Sequence, residues 1–168
     1  ANYILPLQIG ARDMAFPRMN AFRLWMFIFA AILIMTGVTL AVVGYTAQIP
    51  SLTQFSSSAA WTAYVPLSSK QFSPQIGMDL WVLGVIALGI SSTLGAVNFL
   101  VTIYAMRAPG MTAWRMPMFT WSMTVTAAMI LVATPVLTAA MIMLIADRQF
   151  GTQFFSTSNA RLWQHMFW

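Results

Sequence analysis

The sequence predicts an all-α integral membrane protein with three full transmembrane helices and partial helices at both ends. Three observations predict it. The chain of 168 residues is 60% hydrophobic and only 7% charged, whereas a water-soluble domain carries about 25% charged residues. Three apolar runs are each longer than the ~20 residues a helix needs to cross a bilayer. Arginines stand at the ends of those runs, and fourteen methionines and seven tryptophans suit apolar packing with anchoring at the interface.

The elements follow in order. "ANYILPLQIG" reads as the tail of an earlier span, closed by Pro6 and Gly10. The first full span is "LWMFIFAAILIMTGVTLAVVGY", 24–45. A Ser-rich linker over roughly 46–79 carries Trp61, Tyr64, Pro66 and Lys70. The second span is "LWVLGVIALGISSTLGAVNFLVTIYAM", 80–106. The linker "RAPGMTAWRMP", 107–117, is short, and its Pro-Gly pair marks a turn. The third span, 118–146, contains Pro135, where a kink is expected. "RLWQHMFW" is expected to open a fourth span. The chain begins with Ala and ends on an aromatic run, so a segment of a longer polypeptide is expected, one membrane segment over 1–168.

Orientation follows from the cations. Arg12, Arg18, Arg23, Arg107 and Arg115 share one side of three spans, and Lys70, Arg148 and Arg161 share the other. The excess puts the N-terminal flank inside, on a cytoplasmic or matrix side. The net charge of +5 is scattered rather than gathered into a basic patch, which speaks against nucleic acid as a partner. With no cysteine, disulfides, iron–sulfur clusters and thiolate zinc sites are excluded within this stretch.

Polar residues inside a span are costly, so their places are informative. On the second span Gly84, Ala87, Ser91, Gly95, Asn98 and Thr102 recur every three or four residues and form one small, polar stripe, with Ser92 beside it. Ser91 and Asn98 lie nearly in line, about 10 Å apart along the axis. Such a stripe either lines a water chain or lets helices pack closely, and on the residues alone packing weighs more. Ser122, Thr124, Thr126, Thr134 and Thr138 are spread around the third span and read as packing groups.

Asp13, in "RDMAFPRMN", is one of three acids in the chain. A carboxylate at a membrane face gathers protons, or it makes a surface ion pair with Arg12 or Arg18 of little energetic weight; both readings stand. Asp79 just before its helix and Asp147 beside Arg148 read as structural. His165 is the only histidine, and one imidazole without further donors makes no metal site.

The stretches "LPLQIGARDMAFPRMN", "WTAYVPLSS", "GISSTLGAVNFLVTIYAMRAPGM", "WRMPMFTWS" and "DRQFGTQFF…LWQHMFW" occur in one order that resembles heme–copper oxidase subunit I, the A-type catalytic subunit of cytochrome c oxidase. The resemblance covers nearly the whole chain. It implies that the three spans are the third to fifth of about twelve. It implies that Asp13 is the entrance of the D proton pathway, with Asn2 and Asn20 at its mouth and Ser91, Ser92 and Asn98 holding its waters. Trp61 and Tyr64 would stand on the outer side near the heme propionates and the binuclear centre. The intact subunit would hold two hemes and copper, reduce O₂ to water with electrons from cytochrome c and pump protons. Its partners would be membrane lipid, the remaining helices of subunit I, and oxidase subunits II and III. The membrane would be a bacterial plasma membrane or a mitochondrial inner membrane.

Two rival readings remain: a quinol oxidase of the same superfamily, and a non-catalytic helix bundle or transporter subunit. Two departures from the family pattern stand out. Arg23 occupies a position where the family often has serine, and "YVPLS" replaces "YPPLS". No heme or copper ligand of the family falls in this stretch, and His165 matches the family's "QH" rather than a copper ligand. The piece alone is expected to be inactive.

Overall fold

A computed structural model of the chain describes residues 1–57, 59–155 and 159–167. The described residues are helices and connecting turns, with no strand among them. Six α-helices follow in order: α1 (Ile4–Ile9), α2 (Pro17–Thr46), α3 (Pro50–Thr53), α4 (Ile76–Ala105), α5 (Met118–Phe150) and α6 (Ala160–Phe167). A 3₁₀ turn at Ala113–Arg115 precedes α5. Helices α2, α4 and α5 are each long and apolar enough to cross a membrane.

Each long helix exceeds its apolar run, because backbone hydrogen bonding does not stop where polar side chains begin. Pro17 opens α2, where its fixed φ suits a first turn and its missing N–H is not needed. Arg18, Asn20 and Arg23 therefore lie on the helix. Helix α4 likewise starts at Ile76, which puts Asp79 inside its first turn rather than before the helix. The negative charge still suits the N-terminal dipole. Helix α5 runs through Pro135.

The N-terminal segment corrects one reading. Pro6 does not close a helix; it sits in the first turn of α1, where its missing N–H breaks no intrahelical bond. Gly10 alone ends α1, in the left-handed conformation at φ 77°. Of the run expected to open a fourth span, 161–167 lie in α6, and Trp168 is outside the described residues.

The chain divides into two compact units, and the division cuts through all three long helices. One unit comprises 1–26 and 89–135. Its core joins Leu5, Ile9 and Met14 to Ala96, Phe99 and Ile103 of α4 and Ala127 of α5. The other comprises 27–88 and 136–168. Its core joins Ala63 and Val65 of the long linker to Met78 and Val82 of α4 and Ala140, Met141 and Leu144 of α5. Trp163 of α6 is fully buried there, edge-on to Phe155 with ring centroids 5.4 Å apart.

Candidate functional site at the Asp13 loop

Residues 11–16 connect α1 to α2, and only their ends share in the helices, through Ala11 N–H on the Pro6 carbonyl and Asn20 N–H on the Phe16 carbonyl. Their backbone groups need partners wherever water is excluded. The polar stripe of α4 supplies them. Thr102 Oγ1 accepts the Ala15 N–H at 2.9 Å and donates to the Asn98 carbonyl at 2.6 Å. Asn98 Oδ1 accepts the Phe16 N–H at 3.0 Å, while its Nδ2 donates to the Phe16 carbonyl at 3.2 Å. Asn98 and Thr102 are fully buried. They act as a docking strip for a loop more than 80 residues away in sequence.

Docking fixes where Asp13 stands. Its Oδ1 accepts the Met14 N–H at 2.7 Å, and the carboxylate is exposed. Among the described residues no ion pair joins it to Arg12 or Arg18; the one ion pair is Arg148 with Asp79. Close by in the same unit, Asn2 Nδ2 donates to Asn20 Oδ1 at 3.0 Å, so the two amides stand together. Asp13 is thus carried on the loop, Asn20 on the start of α2, Asn2 on the turn before α1 and Asn98 on α4.

Ser91 is buried and donates to the Arg23 carbonyl at 2.8 Å. Ser92 points elsewhere and is exposed, as the ~100° step between helical neighbours requires. Arg23 lies over the Phe99 ring, its Cζ 5.3 Å from the centroid. It also fills the gap left by Gly95, where a Cβ would collide with the guanidinium. The stripe is therefore shared. Gly84 lets α4 approach Ile34 and Ala30 of α2, which is helix packing. Ser91, Asn98 and Thr102 bond the backbone of the N-terminal flank.

Asn98 keeps further capacity. An amide has two N–H groups and two acceptor lone pairs, and the two contacts to Phe16 use one of each. Ser91 likewise donates its single proton and retains its acceptor sites.

Trp61 and Tyr64 belong to the other unit. Trp61 is exposed, with its ring 6.4 Å from that of Phe167, and Tyr64 packs half-buried against the core. The linker that carries them is held by Arg148. This guanidinium is 2% exposed. Its Nε donates to Asp79 at 2.5 Å, and its Nη atoms donate to the carbonyls of Ser68, Ser73 and Gln75 at 2.6, 2.8 and 3.3 Å. Arg148 thus bonds Asp79 and not its neighbour Asp147. Asp147 instead caps the turn after α5, accepting from the N–H groups of Phe154 and Phe155 at 2.9 and 2.8 Å. Sequence reasoning missed Arg148 as a buried clamp. The only sequence signal was a charged pair at a helix end, which does not say which acid is chosen. It also missed the Thr93–Thr134 hydroxyl contact at 3.1 Å between α4 and α5.

The family model described as Cytochrome C and Quinol oxidase polypeptide I matches residues 1–168. This chain belongs to that family. It is 49% identical over 99% of its length to a protein named putative cytochrome c oxidase subunit 1-beta of Streptomyces coelicolor. It is 44% identical over its full length to cytochrome c oxidase subunit 1 of Corynebacterium efficiens. It is 42% identical, again over its full length, to the heme-copper oxidase subunit I+III of Aeropyrum pernix. The chain spans 27% of the first two relatives and 19% of the third.

The family implies heme and copper in the intact protein, and the donors described here do not fit either group. No three His, Cys, Asp or Glu side chains come together among the described residues. His165 stands alone and exposed on α6. Copper needs several donors converging on one point, and the described residues bring no such group together.

Proposed function

We propose that this segment supplies the proton-uptake entrance of an intact oxidase that reduces O₂ to water and pumps protons. The electron donor is cytochrome c, the donor that the names of the Streptomyces and Corynebacterium relatives give. Hemes and copper would be held by helices outside this stretch. Oxidase subunits II and III and membrane lipid would complete the assembly. The N-terminal flank would face the cytoplasmic or matrix side, a reading that the arginine count supports.

One observation carries the reading: an exposed carboxylate sits on a loop whose backbone is bonded to buried Asn98 and Thr102. An exposed carboxylate exchanges protons with bulk water, and a buried polar stripe offers hydrogen-bonding groups farther along the same helix. Asp13 would collect the proton. Asn2 and Asn20 would orient water at the mouth, and Ser91, Ser92 and Asn98 would do so beyond it. Trp61 and Tyr64 would support the heme side, on the linker that Arg148 clamps.

Asp13→Asn in the full-length oxidase tests this. The amide keeps the shape and loses the exchangeable charge. Proton uptake and turnover are expected to fall together. Unchanged turnover with unchanged pumping would overturn the assignment.

A further inference from the structure

We infer that Arg23 is a fixed-charge gate on the proton route, setting how fast protons pass from Asp13 along α4. The inference rests on the proton-entrance reading above and adds a residue that the reading does not use.

Three observations meet at Arg23. The first is position. The guanidinium occupies the space a Cβ on Gly95 would need, with Cζ 3.0 Å from that Cβ site and Nη1 closer still. Gly95 lies one turn from Ser91 and three residues from Asn98, so the cation stands between the two groups assigned to hold water. The second is anchoring. Ser91 donates to the Arg23 carbonyl at 2.8 Å, and the Phe99 ring lies under the guanidinium at 5.3 Å. Both contacts hold the side chain on the stripe.

The third is that the acids of this segment are engaged elsewhere. The chain has three acids. Asp13 accepts from Met14, Asp79 pairs with Arg148, and Asp147 caps the turn at 152–155. None reaches Arg23, and its only described side-chain partner is an aromatic face. A cation held against the polar stripe near the end of a long apolar helix is costly to desolvate and marks a functional position. An excess proton moving through water beside it meets a like charge, and weak screening in a low-dielectric setting makes that repulsion large. Gly95 is the matching device, since any side chain there would push the guanidinium off the stripe.

The test uses the full-length oxidase, with rates normalised to heme absorbance so that poorly assembled variants are not misread. Proton uptake is followed with a pH-indicator dye during turnover. Arg23→Met keeps most of the bulk and removes the charge; it is expected to speed uptake at least about tenfold, the scale on which a single like charge acts on a barrier. Arg23→Lys keeps the charge and is expected to stay near the parent rate. Adding Asp13→Asn to Arg23→Met is expected to abolish the gain.

Unchanged uptake in Arg23→Met, with Asp13→Asn still slow, would overturn the gate and leave the proton entrance standing. Slower uptake in Arg23→Met would make Arg23 the counter-ion of a carboxylate elsewhere in the subunit and overturn the gate as well. A gain that survives Asp13→Asn would place Arg23 off the Asp13 route. If Asp13→Asn has no effect in either background, the proton-entrance reading itself fails, and the gate with it.

Discussion

Asn98 behaves as a piece of backbone carried on a side chain. Its amide offers one donor and one acceptor to Phe16, as a strand partner would. Asn98→Ala would leave the Phe16 N–H without its partner, at about 1–3 kcal/mol for a polar group left unsatisfied, while the Phe16 carbonyl keeps the Asn20 N–H at 3.0 Å. Hydrogen exchange of the full-length subunit is expected to show faster exchange over 14–16 in that variant, with α5 unaffected. Arg148 poses the same question with a charge. Removing it takes a donor from Asp79 Oδ1 and from three carbonyls, and leaves Asp79 only the Gln149 amide at 2.7 Å among its described side-chain partners. Arg148→Ala is expected to cost about 3–5 kcal/mol, the range for breaking a buried pair from one side. Asp79→Asn keeps an acceptor at the same place and is expected to cost less. Thermal unfolding of the assembled oxidase ranks the two. The residues of this clamp were visible in the sequence as charges, but its pairing was not. Arg148 has Asp147 as its chain neighbour and bonds an acid 69 residues away, a choice made by which side chains the fold brings to one point.

At the scale of the elements, α4 carries the most burial. Of its most apolar window 39% is buried, against 17% for α2 and for α5. Its glycines show how it gets there. A Cβ on Gly77 would run into the carbonyl of Phe55 and come within 2.6 Å of the Ser56 carbonyl. The Gly77 N–H also bonds the Gln54 carbonyl at 3.2 Å. Backbone cannot yield as a flexible side chain can, so Gly77→Ala is expected to unseat the start of α4. The cost should reach or exceed the ~1–3 kcal/mol of ordinary overpacking. A lower melting temperature of the full-length enzyme checks it, and an unchanged one would contradict the close approach. Period and hydropathy located the long helices, since both are local. They did not place the first turns of α2 and α4, which are polar and depend on Pro17 and on backbone partners. Nor did they distinguish Pro6, tolerated in a first turn, from a helix breaker, because that depends on where the helix starts.

At the scale of the molecule, the outward surface is apolar. Phe27, Phe29, Ile32 and Met35 of α2 and Met129 and Val132 of α5 are all more than half exposed. A surface of this kind needs lipid or other apolar helices around it. The chain is therefore expected to stay in the membrane pellet through an alkaline carbonate wash and to leave it only with detergent. Release by the wash would contradict the membrane assignment. Backbone satisfaction points the same way, since the long helices bond their own amides internally and need no water along their length.

The sequence by itself determined the class of the molecule, its three long helices and its family. Hydropathy adds up residue by residue along a run, and motifs such as "DMAFPR" and "MRAPGM" are contiguous. It also named Asp13, Asn98 and Arg23 as residues to watch. Only the tertiary structure decided what the stripe on α4 does. Gly84 packs against α2, Ser91 bonds the Arg23 carbonyl, and Asn98 and Thr102 bond the backbone of the Asp13 loop. Only the structure laid Arg23 across Gly95 and gave Arg148 to Asp79. Each of these contacts joins groups some 50–90 residues apart. No local period encodes such a distance; it emerges when apolar burial brings the helices together and every buried polar group must find a partner.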